Sequence, residues 1–146
     1  PIPSRGLGDV YKRQLAGLVS ITAGPDVALP LQAIIIGAVG GVLCTLAIPL
    51  LDKLKIDDVV GAISVHLVAG IWGTLVVGIP GLGTLAADFV TQLIGVVAIG
   101  VFVVVVSAIT WLILKGVIGL RPTEEEEMSG LDVSELGMEA YPEFRN

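Results

Sequence analysis

The amino-acid sequence predicts an all-α polytopic membrane protein, and three observations carry that prediction. Of 146 residues, 54% are hydrophobic and only 15% are charged, and the mean hydropathy is +0.93. The apolar residues lie in long runs of about 20, the length a helix needs to cross a hydrocarbon core of about 30 Å. The charges are segregated: from residue 119 onward eight acids stand against two bases, so that stretch carries the whole net charge of −6. This composition excludes a disordered chain. Cys44, the single cysteine, sits inside an apolar run and excludes a disulfide framework. One histidine and one cysteine cannot build a metal cluster by themselves, so neither metal nor cofactor is expected, nor enzymatic activity or a nucleic-acid partner.

The first fourteen residues, PIPSRGLGDVYKRQ, are mixed and charged and stop abruptly at Leu15. DVYKRQ matches the in-frame translation of a transposase sequencing adapter. Residues 1–14 are therefore treated as an appended segment and set aside from fold reasoning, an ordinary soluble N-terminus being the alternative. The membrane portion is expected over 15–118 and an acidic tail over 119–146. LAGLVSIT, residues 15–22, would be about 12 Å long as a helix. That is too short to span, so it is expected to be the end of a longer helix whose start is missing. AGPDVALP then supplies turn chemistry.

Three full spans follow, at about 30–51, 59–79 and 90–115. In the first, Ala33, Gly37, Gly41 and Thr45 recur every fourth residue, a stripe of small side chains that lets another helix come close. The third is rich in valine, yet a continuous run without alternation argues for a helix in lipid. Lys53 and Lys55 follow the first span, and Lys115 and Arg121 follow the third, so two crossings put them on one side. The loops 23–29 and 80–89 hold Asp26 and Asp88 and no base. An excess of Lys and Arg marks the cytoplasmic side, so the tail is expected there.

His66 is the chain's one histidine and lies in AISVHLVAGIWG. Eight residues past Asp58, it sits about 12 Å along the helix axis, near mid-membrane. Ala62, Ala69, Gly70 and Gly73 share its face, which could line a narrow passage or accept a tightly packed neighbour. A histidine bonded to a carbonyl in a packed core is one reading. Because an ionisable group inside a membrane is costly, a functional residue is the other. Asp57 and Asp58, at the start of that span, suit the positive end of the helix dipole as capping groups. The wall of an acidic vestibule is the alternative. Trp72 and Trp111 fall toward opposite faces, as interfacial aromatic residues do. The tail interleaves Leu120, Met128, Leu131, Val133, Leu136 and Met138 with its acids, a pattern suited to docking rather than to a fully solvated charge run.

At these residues the chain resembles the ammonium transporter (Amt/Mep) family. LAGLVSITAG is similar to the end of that family's eighth helix, KIDDVVGAISVHLVAGIWGTL to its tenth, and GLRPTEEEEMSGLD…GMEAY to its cytoplasmic tail. The resemblance implies a fragment of an eleven-helix ammonium-channel fold, three full transmembrane helices plus a truncated one, in the plasma (inner) membrane. It further implies a homotrimer with one pore per subunit. The substrate would be ammonium or ammonia, passed through a narrow apolar pore with two neighbouring histidines at its centre. His66 aligns with the second of these, and Ala62 and Gly70 would line the pore beside it. An imidazole titrates near physiological pH and so can hold and pass a proton, whereas potassium has none to release. Three positions depart from the family pattern. Ala62 is smaller than the bulky residue expected one turn before the histidine, and Leu136 and Met138 replace the tail's usual histidine and acid. The resemblance also implies a PII-type signalling protein at the cytoplasmic face. Two other functions compete with transport. An ammonium sensor would signal through the tail. A redox subunit would bind haem through His66, but no second axial ligand lies in the spans.

Overall fold

In a computed structural model the protein is described over residues 5–27, 29–83 and 87–139, with side chains from Val10 onward. Helices α1 (Arg5–Thr22), α2 (Pro30–Lys53), α3 (Val68–Val76), α4 (Phe89–Val117), α5 (Glu124–Ser129) and α6 (Leu131–Leu136) are joined by a π-helical turn, Ala62–Leu67, that leads into α3. No strand occurs among the described residues. The chain divides into two compact units, Pro1–Gly100 and Val101–Asn146, and each is taken by itself.

In the first unit α1, α2 and α3 pack on one another through small side chains. α1 is not confined to the eight apolar residues at 15–22: it begins at Arg5, so residues 5–14 are helical too. Ala16, Cys44, Val65 and Ala69 form a buried cluster, with Val19 and Ile48 against it. The helices approach closely because of what is missing at their contacts. A side chain on Gly37 would stand 3.5 Å from the Gly17 carbonyl oxygen, so the two backbones are almost in contact. Ser20, buried, is the wedge between all three helices. Its hydroxyl donates to the Ala16 carbonyl at 2.7 Å and reaches the Ala69 carbonyl at 3.5 Å. Gly40 on α2 makes room for the Ser20 side chain, and Gly73 on α3 makes room for its backbone. Lipid is as apolar as leucine, so packing of this kind, not hydrophobic expulsion, is what holds membrane helices together.

The predicted small-residue stripe on α2 meets α1 closely, Gly37 at Gly17 and Gly41 at Arg13, but it is not the most buried row of the helix. Its buried row is Ile36, Gly40, Cys44 and Ala47, while Ala33, Gly37, Gly41 and Thr45 are half-buried along its flank. Both rows rise at helical spacing, and α1 settles over both, its backbone close to Gly37 and its Ser20 in the space left by Gly40. α2 ends at Lys53. Lys55 closes it in the left-handed region, φ 57°, a conformation usually left to glycine. The start of α2 is tied back by Gln32, whose side chain accepts from the Leu29 amide at 3.0 Å and donates to the Gly81 carbonyl at 3.0 Å.

α2 and α4 are long and apolar enough to cross a membrane, at 24 and 29 residues. The helical part of the middle run is shorter than the predicted 59–79. Its π turn and α3, six and nine residues, reach about 22 Å together. The rest is the capped approach at 58–61 and the turn after Val77. α4 has no buried residue and is apolar on every side, the pattern of a helix meant for lipid or for other helices. Asp88 caps it, accepting from the Thr91 amide at 2.9 Å and its hydroxyl at 3.1 Å.

In the second unit, the four glutamates are exposed and form a helix start. The Thr123 hydroxyl accepts from the Glu126 amide at 3.3 Å, and the Glu126 carboxylate accepts from the Thr123 amide at 2.8 Å, a reciprocal cap. The Thr123 amide and hydroxyl, each donating to that carboxylate at 2.8 Å, hold the Glu126 carboxyl below the usual carboxylate range. Replacing Thr123 by alanine is expected to fray α5, with faster amide exchange at Glu126; unchanged exchange would show the cap to be idle. Gly130, φ 95°, breaks the chain between α5 and α6, and Gly137, φ 64°, ends α6. Leu120, Met128, Leu136 and Met138 of the tail are exposed.

Candidate functional site

The site forms where a turn meets a helix. Chain direction reverses after α2, and Asp58 is the first side chain to organise the next segment. Its carboxylate accepts from the Ile63 amide at 3.0 Å, the Ser64 amide at 2.8 Å and the Ser64 hydroxyl at 2.7 Å. These amides have no carbonyl partner within the helix, so the carboxylate satisfies the orphan donors of a helix start. Burial of Asp58 pushes its pKa up, but the bonds from Ile63 and Ser64 outweigh it and hold the carboxyl below its ordinary range. A depressed pKa contributes stability above the ordinary aspartate range, about pH 4, which is lost as pH falls through the native value. Asp58→Ala is expected to raise amide exchange at Ile63 and Ser64 about 5- to 30-fold, the equivalent of about 1–2 kcal/mol. Exchange as slow as in the unmodified protein would refute this capping role. Asp57 beside it is exposed and, with Asp52, Asp58 and Lys12, edges an open cleft.

Gly61 follows at φ 78°, where a side chain would run into Val65. Its carbonyl oxygen accepts from the Val65 amide at 3.0 Å and from the His66 amide at 3.2 Å. The second bond spans five residues, so the first turn is π-helical, not the α-helix the apolar run predicts. The imidazole Nδ1 of His66 lies 3.2 Å from the same oxygen.

His66 is exposed, with exposed Ala62 one turn before it and half-buried Gly70 one turn after. The structure therefore divides the four small neighbours named from the sequence. Ala62 and Gly70 flank the imidazole on the open side, whereas Ala69 and Gly73 are buried against α1. Ser20 of α1 is what covers the buried pair, its backbone lying against Gly73 and its hydroxyl reaching the Ala69 carbonyl. Trp72 makes a helix-to-helix bond that the sequence did not show. Its indole N–H donates to the Ile36 carbonyl at 3.0 Å and so ties α3 to α2, a bond that half-burial of the ring allows. Sequence reasoning missed Ser64 and Gly61. A serine six residues after an aspartate, and a glycine between them, were the available signals.

Known proteins carry the same arrangement of sequence. The profile described as Ammonium Transporter Family matches residues 9–141. Ammonium transporter Amt1 of Haloferax mediterranei is 40% identical over 132 residues, covering 89% of this chain and 26% of that protein. Ammonium transporter Amt2 of Methanocaldococcus jannaschii is 38% identical over 138 residues, covering 88% of this chain and 32% of that protein. A solved structure named Sensor Amt Protein superposes with a TM-score of 0.76 at 36% identity, covering 88% of this chain and 34% of that one. The chain thus spans about a quarter to a third of the length of these relatives. Helical architecture, two membrane-length helices and a family match along nearly the whole chain agree: the protein belongs to the ammonium transporter family.

Proposed function

We propose that this chain supplies part of the wall of an ammonium-conducting pore and that His66 is one of a central pair of histidines relaying the proton. The observation that carries the reading is the position of His66: a lone imidazole on the open side of a membrane segment, between Ala62 and Gly70, in a chain of this family. Taking a cation through an apolar constriction is costly. Ammonium avoids that cost by leaving its proton on an imidazole, a side chain able to hold and pass one, and crossing as ammonia. Asp57 and the capping Asp58 stand at the cytoplasmic approach to this path. The partner histidine belongs to a helix outside residues 15–146.

The remaining assignments rest on the family and on the charge pattern. They place the protein in the plasma (inner) membrane as a homotrimer, surrounded by lipid, with residues 119–146 cytoplasmic. The exposed apolar side chains of the tail are the surface for a neighbouring subunit or a PII-type signalling protein. Residues 1–14 are read as appended sequence on the strength of DVYKRQ, although the family profile matches from residue 9 and Lys12 donates to the Asp58 carbonyl at 2.9 Å. A second reading, an ammonium sensor acting through the tail, is favoured only by the likeness to a solved protein that bears the name of a sensor.

Ammonium-evoked current in the complete transporter, with and without His66→Ala, tests the proposal. Loss of the current supports the relay; a wild-type current in the variant overturns it.

A further inference from the structure

The turn that carries His66 differs from the other helices in where its hydroxyl goes. Ser20, Thr22, Thr45 and Thr110 each return their hydroxyl to the carbonyl four residues earlier, at 2.7 to 2.8 Å, the usual outlet for a hydroxyl inside a helix. Ser64 does not. It is fully buried, and its hydroxyl donates at 2.7 Å to the same Asp58 carboxylate oxygen that takes its own amide at 2.8 Å. The other oxygen takes the Ile63 amide at 3.0 Å. In an α-helix those two amides would need the carbonyls of Val59 and Val60, four residues back. The carboxylate replaces both, so the helix has no need to extend backward.

What this cap makes possible is a change of register. Gly61, at φ 78°, takes the chain off the helical path ahead of the turn. The His66 amide then bonds the Gly61 carbonyl and the Val68 amide reaches the Ile63 carbonyl, each five residues back. An α-helix would pair them one residue later, with Ala62 and Ser64. One residue of register is about 100° of rotation and about 1.5 Å of rise. Acid–base partners must meet within about 3 Å, and a misplacement of about 1 Å can cost about 100-fold in rate. Ser64 and His66, two residues apart, lie on opposite sides of the turn, one buried and the other exposed. Fastening the buried side therefore fixes the rotation of the open side.

We propose that Ser64, acting through Asp58, is a positioning residue for His66. The hydroxyl–carboxylate bond on the buried side of the turn holds the π-helical register, and that register sets where the imidazole stands on the open side. This deepens the pore reading and rests on it for its use. Neither Ser64 nor Asp58 touches the substrate. The backbone register commits neither ring nitrogen of His66, so either can serve the second histidine or the substrate.

In the complete transporter, Ser64→Ala is expected to lower the maximal ammonium-evoked current about 10-fold. The half-saturating ammonium concentration is expected to move less than about 2-fold, because the relay step is misaligned and entry is not. Ser64→Thr, which keeps the hydroxyl, is expected to restore most of the current. The register is read separately, by magnetic resonance of the chain in lipid bilayers with ¹³C at glycine carbonyls and ¹⁵N at the sole histidine. The His66 amide is expected in hydrogen-bonding contact with a glycine carbonyl, as its 3.2 Å bond to Gly61 requires. Ser64→Ala is expected to lose that contact and Ser64→Thr to keep it. Where Ser64→Ala fails to assemble, Asp58→Asn, which gives up the oxygen that takes the Ser64 amide and hydroxyl, is read in the same way. An unmodified chain without the contact overturns the inference. So does an alanine variant that keeps the contact, or an assembled threonine variant that behaves as alanine does. Loss of the contact with current intact, in a transporter that His66→Ala silences, overturns it too. If His66→Ala itself leaves current intact, the pore reading fails, and loss of the contact in Ser64→Ala still supports control of the register.

Discussion

Alanine at position 66 is expected to lower proton-coupled ammonium conduction by about two to four orders of magnitude, the usual contribution of a positioned acid–base group. The fold is expected to survive. His66 is exposed and outside the buried cluster of Ala16, Cys44, Val65 and Ala69, so its removal opens no cavity among the helices. What it loses is one bond to the Gly61 carbonyl, an acceptor that keeps the amides of Val65 and His66. The measurement is ammonium-evoked current in the complete transporter, paired with its elution as an assembled oligomer. Loss of current with assembly retained is the expected pair of results. If current and assembly disappear together, His66 is acting in packing, and the relay is wrong.

Valine at position 73 is expected to have the largest effect on the membrane unit itself. A Cβ at Gly73 would fall on the backbone of Ser20, with the Ser20 Cα and carbonyl carbon each at 3.0 Å and the oxygen nearer still. Backbone cannot turn aside as a side chain can, so α1 and α3 must separate. Overpacking of this kind costs about 1–3 kcal/mol, and the loss of the Ser20 wedge adds to it. Thermal unfolding in detergent micelles should show a clear loss of stability. Gly95→Val is the control, since no atom lies within 4 Å of a Cβ built there. Equal midpoints for the two variants would remove the case for close packing at Gly73.

How much of this was legible beforehand differs from residue to residue. Membrane segments 30–51 and 90–115 correspond to helices Pro30–Lys53 and Phe89–Val117, because apolar length alone forces a helix in lipid. The position of Asp58 at a helix start was also legible, since carboxylates complement free amides. The register of α2 was not. The stripe through Gly37 meets α1 at Gly17, but the deeper row through Gly40 shows only when Ser20 of α1 is fitted into it. The Trp72 bond was not legible for a similar reason, since its indole finds the Ile36 carbonyl only once α2 and α3 are side by side.

By itself, then, the sequence determined the helical class, the segments able to cross a membrane, the polarity of their ends and the family motif around His66. These follow from local properties: hydropathy, charge position and residue type within a turn or two. Tertiary structure decided which small residues pack and which stay open beside His66, separating Ala69 and Gly73 from Ala62 and Gly70. It also decided that the turn is π-helical. The first depends on where Ser20 of α1 lies, against Gly73 and the Ala69 carbonyl; the second depends on where one carbonyl and one carboxylate find their donors, Gly61 for Val65 and His66, Asp58 for Ile63 and Ser64. A periodic pattern of apolar residues is nearly the same for a π turn as for an α turn. Only the hydrogen bonds tell them apart.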